Sequence, residues 1–510
     1  MRRDGERTGV VCASNEGRDT GDAARHEVAR QTLAPDDDGA VSPGAAGDQA
    51  GAYLQFFGGR DGVSGGAGPG HLGVEAQGGV LWVGGVVELK VNPEPAEIMH
   101  IDLNSAFAMT EQQANPLLRG RPVGVTNRLN DYAICIAASY EAKRLGIGLG
   151  TRNGEAKRIA PNFVMRESDA AKYQYVNKQM REIFASYSPV TQMKSVDEGI
   201  IDFRGMRGLL KGRSLEDVGR EIKQRVREEV GEYMSVNVGI GQNRWLAKVA
   251  AGFMKPDGLY TIDSANLEAV YGFMNLMELP YIKQRMQRRL NDADIFTPLE
   301  FYQASERVLS KQVFRSVNGN HWYLKLRGYE TEVEYGIRTV GRSYVLEHRT
   351  SDPEELATLL YKACAKVARR LRHNDLAARG FMLWLGYVRE PAWGAHRGWN
   401  GPRGWHERKM YKTSAHRADQ LYGRALKMFG HSPQGLVVAS LAMTAYEVEP
   451  VKLNQLYLWE SEDARQDRLE DAMNTLNDRY GELRVMPAAV MKSKNPMVDK
   501  IPFGTVRYFE

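Results

Sequence analysis

The sequence predicts a multidomain α+β protein, and three observations carry that prediction. From Ala96 to about residue 262, apolar β-like runs alternate with amphipathic helical stretches, the pattern of a sheet domain with an inserted segment. Residues 263–330 then read as wholly helical, and from about Thr339 strands and helices resume as a separate α/β module. At 510 residues the chain exceeds what one hydrophobic core normally supports, so several domains are expected.

The first segment, residues 1–95, is rich in Gly, Ala and Asp, with glycine dominating Gly58–Gly85. Such a stretch buries too little apolar surface to offset its ordering entropy. It is expected to be a disordered extension, with a short strand near Val80–Val91. An extension without a catalytic role and upstream sequence captured by an early start codon both remain open. Patterned sequence begins with a buried strand at Ile98–Leu103. A second apolar run covers Asp131–Ser139, followed by helical stretches at Tyr140–Leu145, Glu155–Ala160 and Ala170–Tyr187. Val190–Phe203 contains two strands that meet at Asp197-Glu198. Ser214–Val230 is an amphipathic helix, Val236–Ile240 a strand and Asn243–Gly252 a helix, ended by the turn signal Lys255-Pro256-Asp257-Gly258. In the last module Tyr344–His348, Gly380–Tyr387, Lys409–Ala415 and Val437–Val448 read as strands. Pro353–His373, Ala418–Met428 and Glu462–Tyr480 read as helices.

Composition excludes several classes. No apolar run approaches the roughly 18 residues a membrane span needs, so no membrane association is expected. Arg2 and Arg3 are followed by no apolar h-region, so no signal peptide is expected. Cys12, Cys135 and Cys364 lie far apart without metal-ligand spacing, which points to a reducing, cytoplasmic setting. The net charge of +5 is modest, but residues 1–95 hold more acids than bases, so the remainder is more basic and compatible with a polyanionic partner.

The chemistry is carried by two acidic segments. Met99-His100-Ile101-Asp102-Leu103-Asn104 and Ser195-Val196-Asp197-Glu198-Gly199-Ile200-Ile201 are each apolar runs with carboxylates at one end. Brought together, Asp102, Asp197 and Glu198 would form a cluster of hard oxygen ligands suited to magnesium. Two such ions roughly 3.5–4 Å apart clamp the attacking and leaving oxygens of an in-line phosphoryl transfer. Neighbours on a regular strand point to opposite faces, so Asp197 and Glu198 share an ion only at a turn, which Gly199 would make cheap. Carboxylates beside buried Val196, Ile200 and Ile201 are costly unless paired or metal-bound.

Four motifs in order, Asp102-Leu103-Asn104-Ser105-Ala106-Phe107-Ala108, Ala138-Ser139-Tyr140-Glu141-Ala142-Lys143-Arg144-Leu145-Gly146-Ile147, Ser195-Val196-Asp197-Glu198 and Lys255-Pro256-Asp257-Gly258, resemble the Y-family, or translesion, DNA polymerases of the bacterial polymerase IV type. The resemblance spans roughly residues 96–450. It implies a right-hand polymerase: palm at 96–127 and 188–262, fingers at 128–187, helical thumb at 263–330, a DNA-binding little finger at 336–450, and a tail at 451–510. It implies that Asp102, Asp197 and Glu198 hold two Mg²⁺ ions, with the Leu103 carbonyl completing one shell. Phe107 would be the steric gate that collides with a ribose 2′-hydroxyl, although taken alone it reads as an ordinary core aromatic. Tyr140 and Lys143 would hold the triphosphate, where lysine lacks the fork of the arginine common in relatives. Lys255 would reach the triphosphate from the palm; taken alone it is a solvated turn lysine.

The chain departs from the pattern in places. Asn104 stands where many relatives carry a second aspartate, and Ala106 where an aromatic is common. Leu279-Pro280-Tyr281-Ile282-Lys283 occupies the helix-hairpin-helix turn of the thumb without its glycines, which puts that backbone contact to a DNA phosphate in doubt. By resemblance, Arg338, Gly341, Arg342 and Ser343 lie on the little finger's first strand and meet DNA phosphates, contacts that position rather than specify. Arg389–Lys409 is an insertion interleaving Trp393, Trp399 and Trp405 with Arg397, Arg403 and Arg408. It reads either as a single-strand stacking platform or as a glycine-rich hairpin loop. Gln455, Leu456, Leu458 and Trp459 resemble the peptide by which bacterial polymerases dock on the sliding clamp.

The resemblance thus implies a monomeric, error-prone DNA polymerase of translesion synthesis and repair, working on primer-template DNA and dNTPs. Two other readings stand beside it. A non-catalytic relative that binds DNA and partners would usually have lost the acidic residues, which are present here. A different palm-type nucleotidyl transferase would not need the C-terminal module or the clamp-like peptide.

Overall fold

A computed structural model describes residues 89–129, 133–331, 337–388, 404–451, 462–481, 484–488 and 497. The chain divides into two compact units, broken near residue 332.

In the first unit the strands are β1 (Ile98–Leu103), β2 (Val123–Thr126), β3 (Ala137–Ala138), β4 (Val164–Glu167), β5 (Thr191–Met193), β6 (Glu198–Asp202), β7 (Val236–Gly241) and β8 (Leu259–Ile262). Its principal helices are α1 (Ala106–Ala114), α2 (Tyr140–Arg144), α3 (Ala170–Ala185), α4 (Leu215–Arg225) and α5 (Arg244–Phe253). The main sheet has the order β5-β6-β1-β7-β8. β1 lies in the middle, antiparallel to both β6 and β7, which explains its almost continuously buried apolar sequence. Met99, Ile101, Leu103, Val236, Val238 and Ile240 share one core with Tyr173, Met180 and Phe184 of α3 and with Val218 and Ile222 of α4. On the opposite face Ile98 and Ile200 pack on Ala247 of α5. α3 therefore packs into the main core, although its place in the chain groups 170–187 with the inserted segment.

The insertion is a small sheet, β3-β2-β4, with its own core of Cys135, Ala142, Ile147, Ala156 and Phe163. The apolar run at 131–139 contributes only β3 and an isolated bridge from Ile134 to Arg152; residues 130–132 lie outside the described residues. β2, β4 and β8 lie in short segments that the periodicity does not single out.

Residues 263–330 form the expected helical cluster, with a core around Tyr271, Phe301 and Leu326 that takes in Trp245 and Val249 of α5 and Ile262 of β8. At the turn lacking glycine, Tyr281 itself takes the left-handed conformation, φ 70°. The disordered segment expected over 1–95 falls mostly outside the described residues, but at its end the structure corrects it. Leu89 and Val91 pack on the helical core, the Tyr323 hydroxyl accepts the Leu89 N–H at 3.1 Å, and Gln242 donates to the Glu94 carbonyl at 2.6 Å. Apolar contacts and satisfied backbone groups offset the ordering entropy there. No strand forms at 89–91, and 80–88 are outside the described residues.

α5 lies directly on β7. A Cβ on Gly239 would stand 2.1 Å from the Ala247 carbonyl oxygen and 2.1 Å from the Ala251 nitrogen, both backbone atoms that cannot step aside. Gly239→Ala is expected to destabilise the first unit by about 3 kcal/mol. An unchanged denaturant midpoint would contradict this packing.

The second unit is a four-stranded antiparallel sheet of β9 (Thr339–Thr350), β10 (Leu376–Tyr387), β11 (Gly404–Ala415) and β12 (Val438–Pro450), in the order β11-β10-β12-β9. One face is covered by α6 (Pro353–His373) and α7 (Ala418–Phe429), with Leu359, Val367, Phe381, Leu383 and Met443 in the core between them. The strands run longer than their apolar cores predict. In particular β11 begins at Gly404, so Trp405 and Arg408 are paired strand residues, not insertion: Leu385 faces Trp405 and Met382 faces Arg408. Residues 389–403 are outside the described residues. The last helix, α8 (Glu462–Tyr480), packs on this module through acidic residues. Glu470 pairs with Arg372 and accepts the Ala418 N–H at 3.0 Å, and Asp467 pairs with Arg417.

Candidate active site

The site is built at the end of β1. Asp102 stands directly opposite Glu198 on β6 and opposite Asn237 on β7. Side chains two apart on a strand share a face. Ile98, His100 and Asp102 therefore look to the side covered by α5, and cross-strand pairing brings Glu198 there as well. Asp197 comes from the turn before β6. Its carbonyl accepts the Leu103 N–H at 2.9 Å, while the Lys194 N–H donates to the Glu198 carbonyl at 2.9 Å and closes the turn. Gly199 does not make that turn. It sits inside β6, where a Cβ would meet the Phe184 ring at 2.7 Å and Met193 Sδ at 2.9 Å, so its role is close packing.

The structure thus brings Asp102, Leu103, Asp197 and Glu198 together, and adds cations that the sequence motifs do not assign to the acids. The Lys255 ammonium donates to Asp102 Oδ2. Lys248 of α5 donates to Glu198 Oε2, and His100 Nε2 lies 3.1 Å from the same oxygen. Ser195 Oγ donates to Asp197 Oδ1. Burial, followed by the neighbouring Asp102 carboxylate, pushes the Asp197 carboxyl up to about 6. Burial also acts to raise Glu198, but the His100 hydrogen bond and the Lys248 charge outweigh it and hold that carboxyl well below the usual carboxylate range.

Two sequence signals point to these partners. His100 lies two residues before Asp102 on the same strand face. Lys248 lies on α5, seven residues before Lys255, which follows the end of that helix.

Among the described residues no three His, Cys, Asp or Glu side chains are already arranged around a metal position. The donor set nevertheless fits a hard divalent cation. All three side chains are carboxylates, and after burial the neighbouring Asp102 and Glu198 charges both act to raise the Asp197 carboxyl, as expected of acids crowded at one site.

Behind Asp102 the chain reverses into α1 through Ser105, at φ 45° in the left-handed region. Asn104, the departure from the aspartate, is 1% exposed and sits in a polar network. Its Oδ1 accepts from the Tyr140 hydroxyl at 2.9 Å and from Asn237 Nδ2, and its Nδ2 donates to Ser235 Oγ at 2.9 Å. A carboxylate would have no hydrogen to give Ser235. Tyr140 opens α2, and the Lys143 ammonium stands 4.8 Å from its ring centroid. Phe107, in the first turn of α1, is a packed core aromatic stacked on Tyr173 with centroids 4.5 Å apart.

In the second unit, Arg338 is exposed just before β9, and Gly341, Arg342 and Ser343 pair with Thr444, Met443 and Ala442 of β12. Strand parity puts Gly341 and Ser343 on the open face and Arg342 on the side of Val340 and Tyr344. That open face also carries Arg408, 4.9 Å from the Tyr446 ring. Gln455, Leu456, Leu458 and Trp459 lie outside the described residues.

A carboxylate cluster at the end of the central strand of a five-stranded sheet, joined to a small inserted sheet and a helical cluster and followed by a four-stranded α/β module, is the architecture of a right-hand polymerase with palm, fingers, thumb and little finger. The sequence model of the impB/mucB/samB family matches residues 101–252, and that of the family's C-terminal domain matches 337–458. DNA polymerase IV of Moorella thermoacetica is 31% identical over 411 residues, covering 77% of this chain and 95% of that one. DNA polymerase IV of Pelotomaculum thermopropionicum is 29% identical over 423 residues, covering 78% and 97%. Among solved structures, the Y-family DNA polymerase chimera Dbh-Dpo4(243-245)-Dbh shares the fold at a TM-score of 0.57 and 21% identity, covering 69% of this chain and 98% of that one. The chain belongs to the impB/mucB/samB family, the Y-family DNA polymerases, and is of the polymerase IV kind.

Proposed function

We propose that this chain is a DNA-directed DNA polymerase of translesion synthesis, extending a primer on damaged template with dNTPs. The observation that carries the reading is the register that sets Asp102 opposite Glu198 and ties Asp197 to Leu103, with Lys248 and Lys255 flanking the acids. Asp102, Asp197, Glu198 and the Leu103 carbonyl would hold two Mg²⁺ ions. When bound, these supply Lewis-acid stabilisation of the phosphates and activation of the primer 3′-hydroxyl. The chain's own residues position the reactants. Lys255 is within reach of Asp102 and can exchange that carboxylate for a nucleotide phosphate once the acid is neutralised. Tyr140, braced by Asn104, and Lys143 beside it present a hydroxyl and a charge to the triphosphate. Phe107 then excludes a 2′-hydroxyl. Catalysis is mostly positioning and electrostatics, as in phosphoryl transfer generally. Ala106 beside the gate leaves room around the nascent base pair, consistent with low fidelity.

The open face of the little finger, with Gly341, Ser343 and Arg408, would lie on duplex phosphates, joined by Arg338 just before β9. Arg342, on the other parity, would act from the sheet's edge. The polymerase would work as a cytoplasmic monomer that docks on a sliding clamp through Gln455, Leu456, Leu458 and Trp459. Among the described residues no helix is long and apolar enough to cross a membrane.

The test is primer extension by the purified full chain on undamaged and lesion-containing templates, with magnesium and with chelator. Extension that needs template, dNTP and divalent cation is expected. A folded chain that binds primer-template but never extends it would instead be an accessory DNA-binding protein. Deleting residues 455–459 should leave basal synthesis intact and remove stimulation by the clamp. Stimulation that survives would place docking elsewhere.

A further inference from the structure

The aromatic assigned to sugar selection is held by contacts that end on a buried carboxylate. Phe107 and Glu111 stand one turn apart on α1 and so share a face. The Phe107 ring stacks on Tyr173 of α3 at an interplanar angle of 27°. The Tyr173 hydroxyl returns to α1, donating to Glu111 Oε1 at 3.0 Å. The other oxygen of Glu111 accepts the Lys172 ammonium at 3.0 Å, and Arg166 stands 4.0 Å away. The Glu111 side chain is only 2% exposed. A carboxylate taken out of water this far is costly unless its lone pairs are filled, and here both oxygens are. Burial, then the Glu111 charge, push the Tyr173 phenol well above its ordinary value, so it stays a donor.

The contacts form a closed loop: Phe107 to Tyr173 by stacking, Tyr173 to Glu111 by hydrogen bond, Glu111 back to Phe107 through one helical turn. With the hydroxyl tied down, the Tyr173 ring cannot slide or tilt without breaking a charge-assisted hydrogen bond. Steric exclusion of one oxygen atom depends on ring position at the sub-ångström level, where small displacements have large kinetic effects.

We propose that Glu111 is a positioning residue for sugar selection: by holding the Tyr173 hydroxyl it fixes the ring behind Phe107, and with it the wall that a ribose 2′-hydroxyl meets. The inference rests on the reading of Phe107 as the gate.

The experiment measures kcat/KM for a dNTP and its matching rNTP, with the full chain on undamaged primer-template. The variants are Tyr173→Phe, Glu111→Gln, the two combined, and Phe107→Ala. Tyr173→Phe and Glu111→Gln should each lower the deoxy/ribo ratio about tenfold through a gain in ribonucleotide use, the scale of one hydrogen bond to a charged group. The combined variant should fall no further, because both changes act on the same bond: Phe removes its donor, and Gln replaces the charged acceptor with a neutral amide oxygen. If Phe107→Ala lowers the ratio and Tyr173→Phe does not, the brace is overturned and the gate stands. If Phe107→Ala leaves the ratio unchanged, the gate reading fails and takes the brace with it. An equal loss for both nucleotides with the ratio kept would reduce Glu111 to a fastener between α1 and α3, which also overturns the proposal. Tyr173→Phe keeps ring and stack, so it carries the test even if Glu111→Gln fails to fold.

Discussion

Asp102→Ala and Glu198→Ala should each lower primer extension at least about a thousandfold while primer-template binding persists, since each removes oxygen ligands on which charge stabilisation depends. The size follows from the geometry. Asp102 and Glu198 face each other across one register position, so neither can be replaced by a neighbour. Glu198→Ala also takes away the carboxylate that Lys248 pairs with. Alanine could therefore act partly through an unpaired charge. Asp102→Asn and Glu198→Gln keep shape and hydrogen bonding and should be nearly as inactive, because an amide oxygen carries no charge. Melting curves separate the two causes. If the isosteric variants stay folded and extend primers at the parent rate, the carboxylate centre is not where the chemistry occurs.

Phe107→Ala should raise incorporation of ribonucleotides by about a hundredfold relative to deoxynucleotides, the scale expected when a wall that rejects one oxygen is removed. Phe107 is also a core residue, 6% exposed, so alanine is expected to cost about 3 kcal/mol of stability. Phe107→Leu keeps most of the volume and loses the flat ring stacked on Tyr173. It should show the same change of sugar preference in smaller degree with less loss of stability. Discrimination unaltered in both variants would return Phe107 to a purely structural role.

Elements with strong local signals are legible in the amino-acid sequence. Pro353–His373 forms as read because Asp352 caps its N-terminus, accepting the Glu354 N–H, and Pro353 fills its first position. Ile98–Leu103 forms as read because a central strand is covered on both faces, and its sequence is apolar but for His100 and Asp102 at the site. Short strands such as Val123–Thr126 and Val164–Glu167 are not legible. Four residues carry too little periodicity, and these strands exist because they pair with each other in parallel. β11 is longer than its sequence suggests, because the tryptophan and arginine at its start resemble a loop, whereas cross-strand pairing with β10 decides the matter.

By itself the sequence determined the family and singled out Asp102, Asp197 and Glu198 as candidate acids, because motif identity and spacing are properties of the chain. Tertiary structure alone decided what those acids touch. Lys248 and His100 reach Glu198 only through sheet register and the docking of α5, and Tyr173 reaches Phe107 only because α3 packs into the core of the main sheet. Strand parity and helical period fix the face on which a side chain lies. They do not fix what the opposite face brings, since that depends on the packing of segments far apart in the chain, such as Glu111 with Tyr173 and Asp102 with Lys255.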